Sequence, residues 1–207
     1  MHAHSAGAAG NFVVPIEKMS SNAFKSVMDI DVLGTFNTIK ATMPHLLRSS
    51  NPRIIYVSAT FHYTGMPLQA HVAAAKASVD SLMASVALEY GPRGVQSNVI
   101  APGGIEGTEG LARLGSDAES EKKRYAKSIP LGRAGTVRDI ADATVFLFSD
   151  AGSYVSGQVL AVDGAAWRRQ GALGVGTEAG MEYPDYLLKG EFSQNLRDPR
   201  KTAKPKL

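Results

Sequence analysis

Lys76 stands in the run AAAKASVDSL, where a lysine one helical turn after a tyrosine would lower that phenol's pKa and turn it into a proton donor. Position 72, four residues earlier, is valine, which has no acidic hydrogen. Three readings are open on these residues alone: a chance lysine on a solvated helix, a disabled site, or a site that takes its proton from another group. Asp31, in the run DIDVLG, bears on the choice. It sits mid-helix among apolar neighbours, and a carboxylate buried there needs a partner. Two hydroxyls with chemical potential, Ser58 and Thr60, follow the apolar run RIIYV.

Alternating apolar and helical segments must position these groups, the pattern of βαβ units and a parallel sheet. Residues 21–49 read as one long helix capped by Ser20 or Ser21, with Phe24, Val27, Met28, Val32, Phe36, Ile39 and Met43 recurring at steps of three and four. Pro44 should kink or reset its end. A short buried strand follows at 53–59, then a second long helix at 69–90, closed by GPRG. Residues 95–103 form the next strand and its exit loop, 108–132 a charged lid, 136–150 a capped helix and 157–165 a last strand.

Composition narrows the class. With 207 residues, 44% of them hydrophobic, the chain should fold as one globular domain. No run approaches the ~18 apolar residues that span a membrane. MHAHSAGAAGNF shows no secretory pattern, and zero cysteines exclude a disulfide framework or thiolate metal site. The five histidines have no metal-ligand spacing, so no metal is expected; His62 and His71 read as polar residues beside the site. From residue 189 onward six basic side chains face two acidic ones. Without interleaved aromatics this reads as a solvated basic tail, and no nucleic acid is expected. Neither GALGVGT (171–177) nor GAAGNF (7–12) spells G-x-G-x-x-G between a strand and a helix, the setting a pyrophosphate needs.

Taken in order, GAAGNF, DVLGTF, IIYVSATFHYTG, AAAKASVDSL, VQSNVIAPGGIEGTEG and SGQVLAVDGAAW resemble the short-chain dehydrogenase/reductase family over residues 6 to about 167. They are most similar to its 2,4-dienoyl-CoA reductase branch, the peroxisomal type above all. The resemblance implies an α/β fold, a partial Rossmann-like doubly wound parallel sheet, with residues 1–167 forming the C-terminal part of the domain and 168–207 a loop and basic tail. It implies NADPH as cofactor and a 2,4-dienoyl-CoA thioester as substrate, reduced to the 3-enoyl-CoA in the oxidation of unsaturated fatty acids.

Most of the family donates the proton from a tyrosine four residues before the lysine, whereas this branch lacks it, so Val72 is expected. The mitochondrial type resembles a second solution, a tyrosine fifteen residues before the lysine, but that position here is Phe61. What remains is similar to the peroxisomal type, in which an aspartate and the lysine position a water as the acid. Asp31, Lys76 and Ser58 are the catalytic candidates on this basis. Lys76, Pro102, Gly103, Ile105 and Thr108 are matched to the nicotinamide side of the cofactor. Asn11, Phe12, Thr60 and Phe61 are matched to the acyl-CoA side, and Asn98 reads equally well as a tie between strands.

The family's phosphate-gripping motif lies well upstream of a GAAGN-like segment, and six residues precede Gly7. The first three strands and most of the fourth are therefore expected to be absent, which leaves a second reading: a truncated, non-catalytic chain that docks on full-length homologues or is inactive. The helices at 21–49 and 69–90 resemble the family's oligomer-forming pair, so a homo-oligomer is expected of the intact protein. Pro205-Lys206-Leu207 resembles the C-terminal tripeptide read by the peroxisomal import receptor, which implies a peroxisomal location.

Overall fold

The computed structural model describes residues 2–3, 14–108, 123, 125 and 128–169. Asn11, Phe12, most of the expected lid and the tail beyond residue 169 lie outside the described residues.

Four parallel strands form one sheet in chain order: β1 (His2–Ala3), β2 (Arg53–Val57), β3 (Gln96–Pro102) and β4 (Val159–Val162). Their register pairs Ile55 with Asn98 and Ile100 with Leu160. Both faces of β2 and β3 are buried, as a parallel sheet covered by helices on each side requires. Ile54, Tyr56, Val99 and Ala101 point to one face, where they pack with Ile39, Met43, Leu46, Val79 and Met83. Ile55 and Ile100 point to the other, against Leu147. Successive side chains of a strand alternate between faces, so these two clusters place α2 (Gly34–Leu46) and α3 (Ala70–Tyr90) on one side and α4 (Val137–Phe148) on the other. The sheet is thus wrapped as a doubly wound fold expects.

The expected long helix is present but composite. Ser20 caps α1 (Ser21–Val27) by accepting from the Ala23 amide at 3.2 Å. Between α1 and α2 the backbone widens into a π-helical segment, Met28–Leu33. Pro44 lies inside the last turn of α2, which ends two residues later at Leu46, so the reset falls where the proline removes a donor. Phe36, read as part of the buried stripe, is 47% exposed and faces a groove between α2 and α3 with Leu82 and Tyr90.

The later boundaries follow their local chemistry. After α3 a 3-10 turn, Gly91–Arg93, leads to Gly94 at φ +84°, a left-handed conformation that glycine adopts without strain. Thr136 and Asp139 close a reciprocal capping box at the start of α4. Asn98 proves to be a tie between strands: its amide donates to the Val155 carbonyl at 2.7 Å, and its carbonyl oxygen accepts from the Gln158 amide at 3.1 Å.

Candidate active site

Asp31 and Lys76 meet. The lysine Nζ lies 3.3 Å from Asp31 Oδ2, with the lysine side chain 12% exposed and the aspartate completely buried. Lys76 arrives from the middle of α3, and its Nζ also reaches the Val57 carbonyl at 3.5 Å, at the end of β2. Asp31 arrives from the π segment. The buried positions along this composite helix are Val27, Asp31, Thr35, Ile39 and Met43, each four residues from the last, and then Leu46, three further on. In an unbroken α-helix each four-residue step overshoots a full turn by about 40°. The π turn, wider than an α turn, lies between Val27 and Thr35, in the stretch that carries Asp31 on the buried face. Such π turns recur at functional sites. Thr35 braces the turn, its hydroxyl donating to the Asp31 carbonyl at 2.5 Å.

The electrostatics of the pair are dominated by burial. Loss of water pushes the Asp31 carboxyl above its ordinary 3.8, and the charge and hydrogen bond of Lys76 pull it back only in part. Neither Asp31 oxygen receives a well-aligned hydrogen bond among the described residues, so the carboxylate retains acceptor capacity beside a cation.

The two positions at which the resemblance would place a phenol hold apolar side chains. Val72 is 5% exposed and packs with Val27 and Ala75, and Phe61 lies on the same cluster. The position that would hold a tyrosine in front of Lys76 is apolar surface, as is the position fifteen residues before it. Tyr63, two residues on, is turned to Asp80 instead, its hydroxyl donating to Oδ2 at 3.3 Å. Burial first, then the Asp80 charge, push that phenol above its ordinary range, so it keeps its proton.

The two hydroxyl candidates are both engaged with backbone. Ser58 is buried and donates to the Lys76 carbonyl at 3.4 Å, which seats the end of β2 on α3. Thr60 donates to the Pro102 carbonyl at 3.4 Å, joining the ends of β2 and β3. Both contacts are long for O–H···O bonds, whose usual distance is about 2.7–2.8 Å. The exit of β3 is shaped by close approach. A Cβ on Gly103 would stand 2.6 Å from the Asp163 Cβ, so only glycine lets this loop lie against the residue after β4. Ile105 bridges to Gly135, and Thr108 turns back to donate to the Ile105 carbonyl at 2.9 Å.

Sequence reasoning passed over two residues that belong to this region. Asp80, one helical turn beyond Lys76 on α3, accepts from His62 Nε2 at 2.8 Å and from Tyr63. Asp163 accepts from the backbone amides of Ala165 and Trp167, each at 2.9 Å, and so closes the turn after β4. The i, i+4 spacing of Lys76 and Asp80 was the available signal for the first. Nothing local announces the second.

Parallel strands that present polar groups at their carboxyl ends, between helices on both faces, place the protein among the doubly wound α/β folds that bind ligands there. Within that class the chain belongs to the short-chain dehydrogenase/reductase family: the family described as enoyl-(acyl carrier protein) reductase matches residues 1–165. The chain is 52% identical over 190 residues to the peroxisomal 2,4-dienoyl-CoA reductase of Saccharomyces cerevisiae, a match covering 91% of this chain and 62% of that one. It is 48% identical over 160 residues to the peroxisomal 2,4-dienoyl-CoA reductase of Danio rerio, covering 77% of this chain and 53% of the relative. Among solved structures it is similar to a gluconate 5-dehydrogenase from Burkholderia cenocepacia in complex with NADP and tartrate. That likeness has a TM-score of 0.72 at 29% identity and covers 79% of this chain and 64% of that one. The chain therefore spans between half and two thirds of the length of these relatives.

Proposed function

We propose that this chain carries the proton-delivering part of an NADPH-dependent 2,4-dienoyl-CoA reductase. The observation that carries the reading is the buried Asp31–Lys76 pair, with the two positions at which a tyrosine would stand filled by Val72 and Phe61. A site that reduces a ketone must protonate an alkoxide and needs a phenol or similar acid within reach. A conjugated dienoyl thioester makes a different demand. When bound, the nicotinamide supplies hydride to the far end of the conjugated system, and the electrons move onto the thioester oxygen. The resulting dienolate is protonated at the carbon next to the thioester, which leaves the 3-enoyl product. An oriented water can do this, and Asp31, with unused acceptor capacity, can hold one. Lys76 favours the charged carboxylate against the effect of burial and brings positive charge toward the developing oxyanion.

The chain's own groups fit the nicotinamide end of the cofactor. The lysine ammonium at the end of β2 suits a ribose hydroxyl, and the tight Gly103 loop presents backbone rather than side chain to the cofactor. Pro102, Ile105 and Thr108 continue that wall. Phe61, resting on Val27, Val72 and Ala75, offers an apolar surface to an acyl chain. Ser58 and Thr60 reach the thioester oxygen by exchanging their long backbone contacts for it. The names of the yeast and fish relatives agree with this substrate, with the (3E)-enoyl product and with a peroxisomal location. The groove between α2 and α3, with Phe36 exposed in it, suits a second copy of the chain, and the peroxisomal import receptor would be the other partner.

The test is consumption of NADPH by the purified 207-residue chain with a 2,4-dienoyl-CoA thioester, against a simple ketone as control. Dienoyl-dependent turnover that Asp31→Asn abolishes supports the reading. Ketone reduction, or dienoyl reduction untouched by Asp31→Asn, refutes it.

A further inference from the structure

Outside the Asp31–Lys76 pair, a nearly buried polar cluster lies one turn further along α3. Asp80 and Lys76 are four residues apart and share a helix face. Asp80 is nearly buried, its side chain 15% exposed, and that of His62 only 8%. One oxygen, Oδ2, takes both the His62 ring nitrogen at 2.8 Å and the Tyr63 hydroxyl at 3.3 Å. The partners are consecutive residues of the 3-10 turn Thr60–Tyr63, the same turn that carries Thr60 and Phe61.

The hold does not stop at α3. The Tyr63 ring meets Trp167 in a tilted contact, centroids 5.1 Å apart at 52°, and the Arg168 guanidinium covers that indole at 4.1 Å. Trp167 is fixed in turn through its amide to Asp163, the residue that Gly103 closely approaches. A continuous chain of contacts thus runs from the Lys76 helix, through the turn bearing Phe61, to the loop at the end of β3. The contacts to Asp80 are nearly buried, and they fasten a short 3-10 turn that lies outside the sheet and the long helices.

We propose that Asp80 is a positioning residue: through His62 and Tyr63 it fixes the 60–63 turn, and so sets where the acyl group lies on Phe61 without touching it. The role in substrate placement rests on the dienoyl-CoA reading, whereas the mechanical link to Trp167 does not. Two separate readouts follow. Trp167 is the single tryptophan of the chain, so its emission reports the link directly.

In the full 207-residue chain, Asp80→Ala shifts Trp167 emission to the red and increases its quenching by acrylamide, with far-ultraviolet circular dichroism unchanged. In turnover with NADPH and a dienoyl-CoA thioester, it raises KM for the thioester about tenfold while kcat and the KM for NADPH stay within about twofold, as loss of placement rather than of chemistry requires. Asp80→Asn, which keeps an acceptor at this point, recovers most of both effects. Tyr63→Phe, which keeps the ring contact, changes them least. If Asp80→Ala does not fold, the volume-preserving Asp80→Asn and His62→Gln carry the same readouts, with His62→Gln expected to show the larger loss. Unchanged Trp167 quenching in the folded variants overturns the link. Altered quenching with a lost kcat and an unchanged thioester KM overturns the positioning role. A wild-type chain that turns over no dienoyl-CoA sinks the proposed function instead, and the link is then decided by quenching alone.

Discussion

Removing Asp31 and Lys76 singly and together tests whether they act as one unit. At 3.3 Å and an effective dielectric near 20, two unit charges attract by about 5 kcal/mol. Burial of both ions offsets most of that, so the attraction is not the net stability. The asymmetry appears when one partner is removed. Asp31→Leu strands the Lys76 ammonium in a site where it is only 12% exposed, and an uncompensated buried charge costs about 3–5 kcal/mol. Lys76→Met should cost less, because burial already lifts the Asp31 carboxyl and a proton can neutralise it once the lysine is gone. The double variant removes both charges and puts apolar groups beside Val27, Met28 and Val32, so it should be close to wild type or about 1–4 kcal/mol more stable. Urea denaturation of the four proteins at neutral pH measures the coupling. Turnover should behave as non-additively: each single change lowers it about 10²–10⁴-fold, and the double change lowers it no further. Stabilities that add to within about 0.5 kcal/mol would refute the pair as a unit.

Two further outcomes follow from the same geometry. The Asp31 carboxyl is raised above 3.8 in the folded chain, so the folded state holds that proton more tightly than the unfolded one. Its contribution to stability is full below pH 3.8 and is lost as pH rises through the folded value; wild type should therefore lose stability relative to Asp31→Asn over that window, and denaturation across pH that shows a relative gain would contradict the sign. Gly103→Ala forces a Cβ to within 2.6 Å of the Asp163 side chain and 3.0 Å of its Cα, which should cost about 1–3 kcal/mol and weaken NADPH binding, measured by thermal denaturation and nicotinamide fluorescence.

Much of this was legible in the residues because it is local. Apolar runs bounded by GPRG and by Thr136 with Asp139 mark helix ends through backbone conformation and capping, and the observed boundaries fall close to those expected. Asp31 and Lys76 were recognisable as a pair through a resemblance, and the structure brings them together. Phe36 was not legible: its spacing matches the buried stripe, but the stripe turns at the π segment and leaves it in a groove. Nor was the engagement of Ser58 and Thr60, since the carbonyls they meet belong to Lys76 and Pro102 and are set by how α3 and β3 close on β2. The partnership of His62 with Asp80 has the same origin. Each depends on tertiary placement that no local pattern encodes.

The π segment joins these points into one physical statement. A fully buried carboxylate stands on a helix that widens into a π turn around it, with the Lys76 ammonium 3.3 Å away. The energetic cost of that wider turn and of a desolvated carboxylate is hard to explain by stability alone, because apolar residues at the same two positions would pack without either. It is explained if Asp31 must remain charged and water-holding next to Lys76 while the surfaces around it, Val72 and Phe61, stay apolar toward the acyl chain. A tyrosine at either place would supply its own proton and make the buried carboxylate redundant. Under the proposed function the missing phenol and the buried pair belong together: a water held by Asp31 beside Lys76 takes the place of a side-chain acid in front of the lysine.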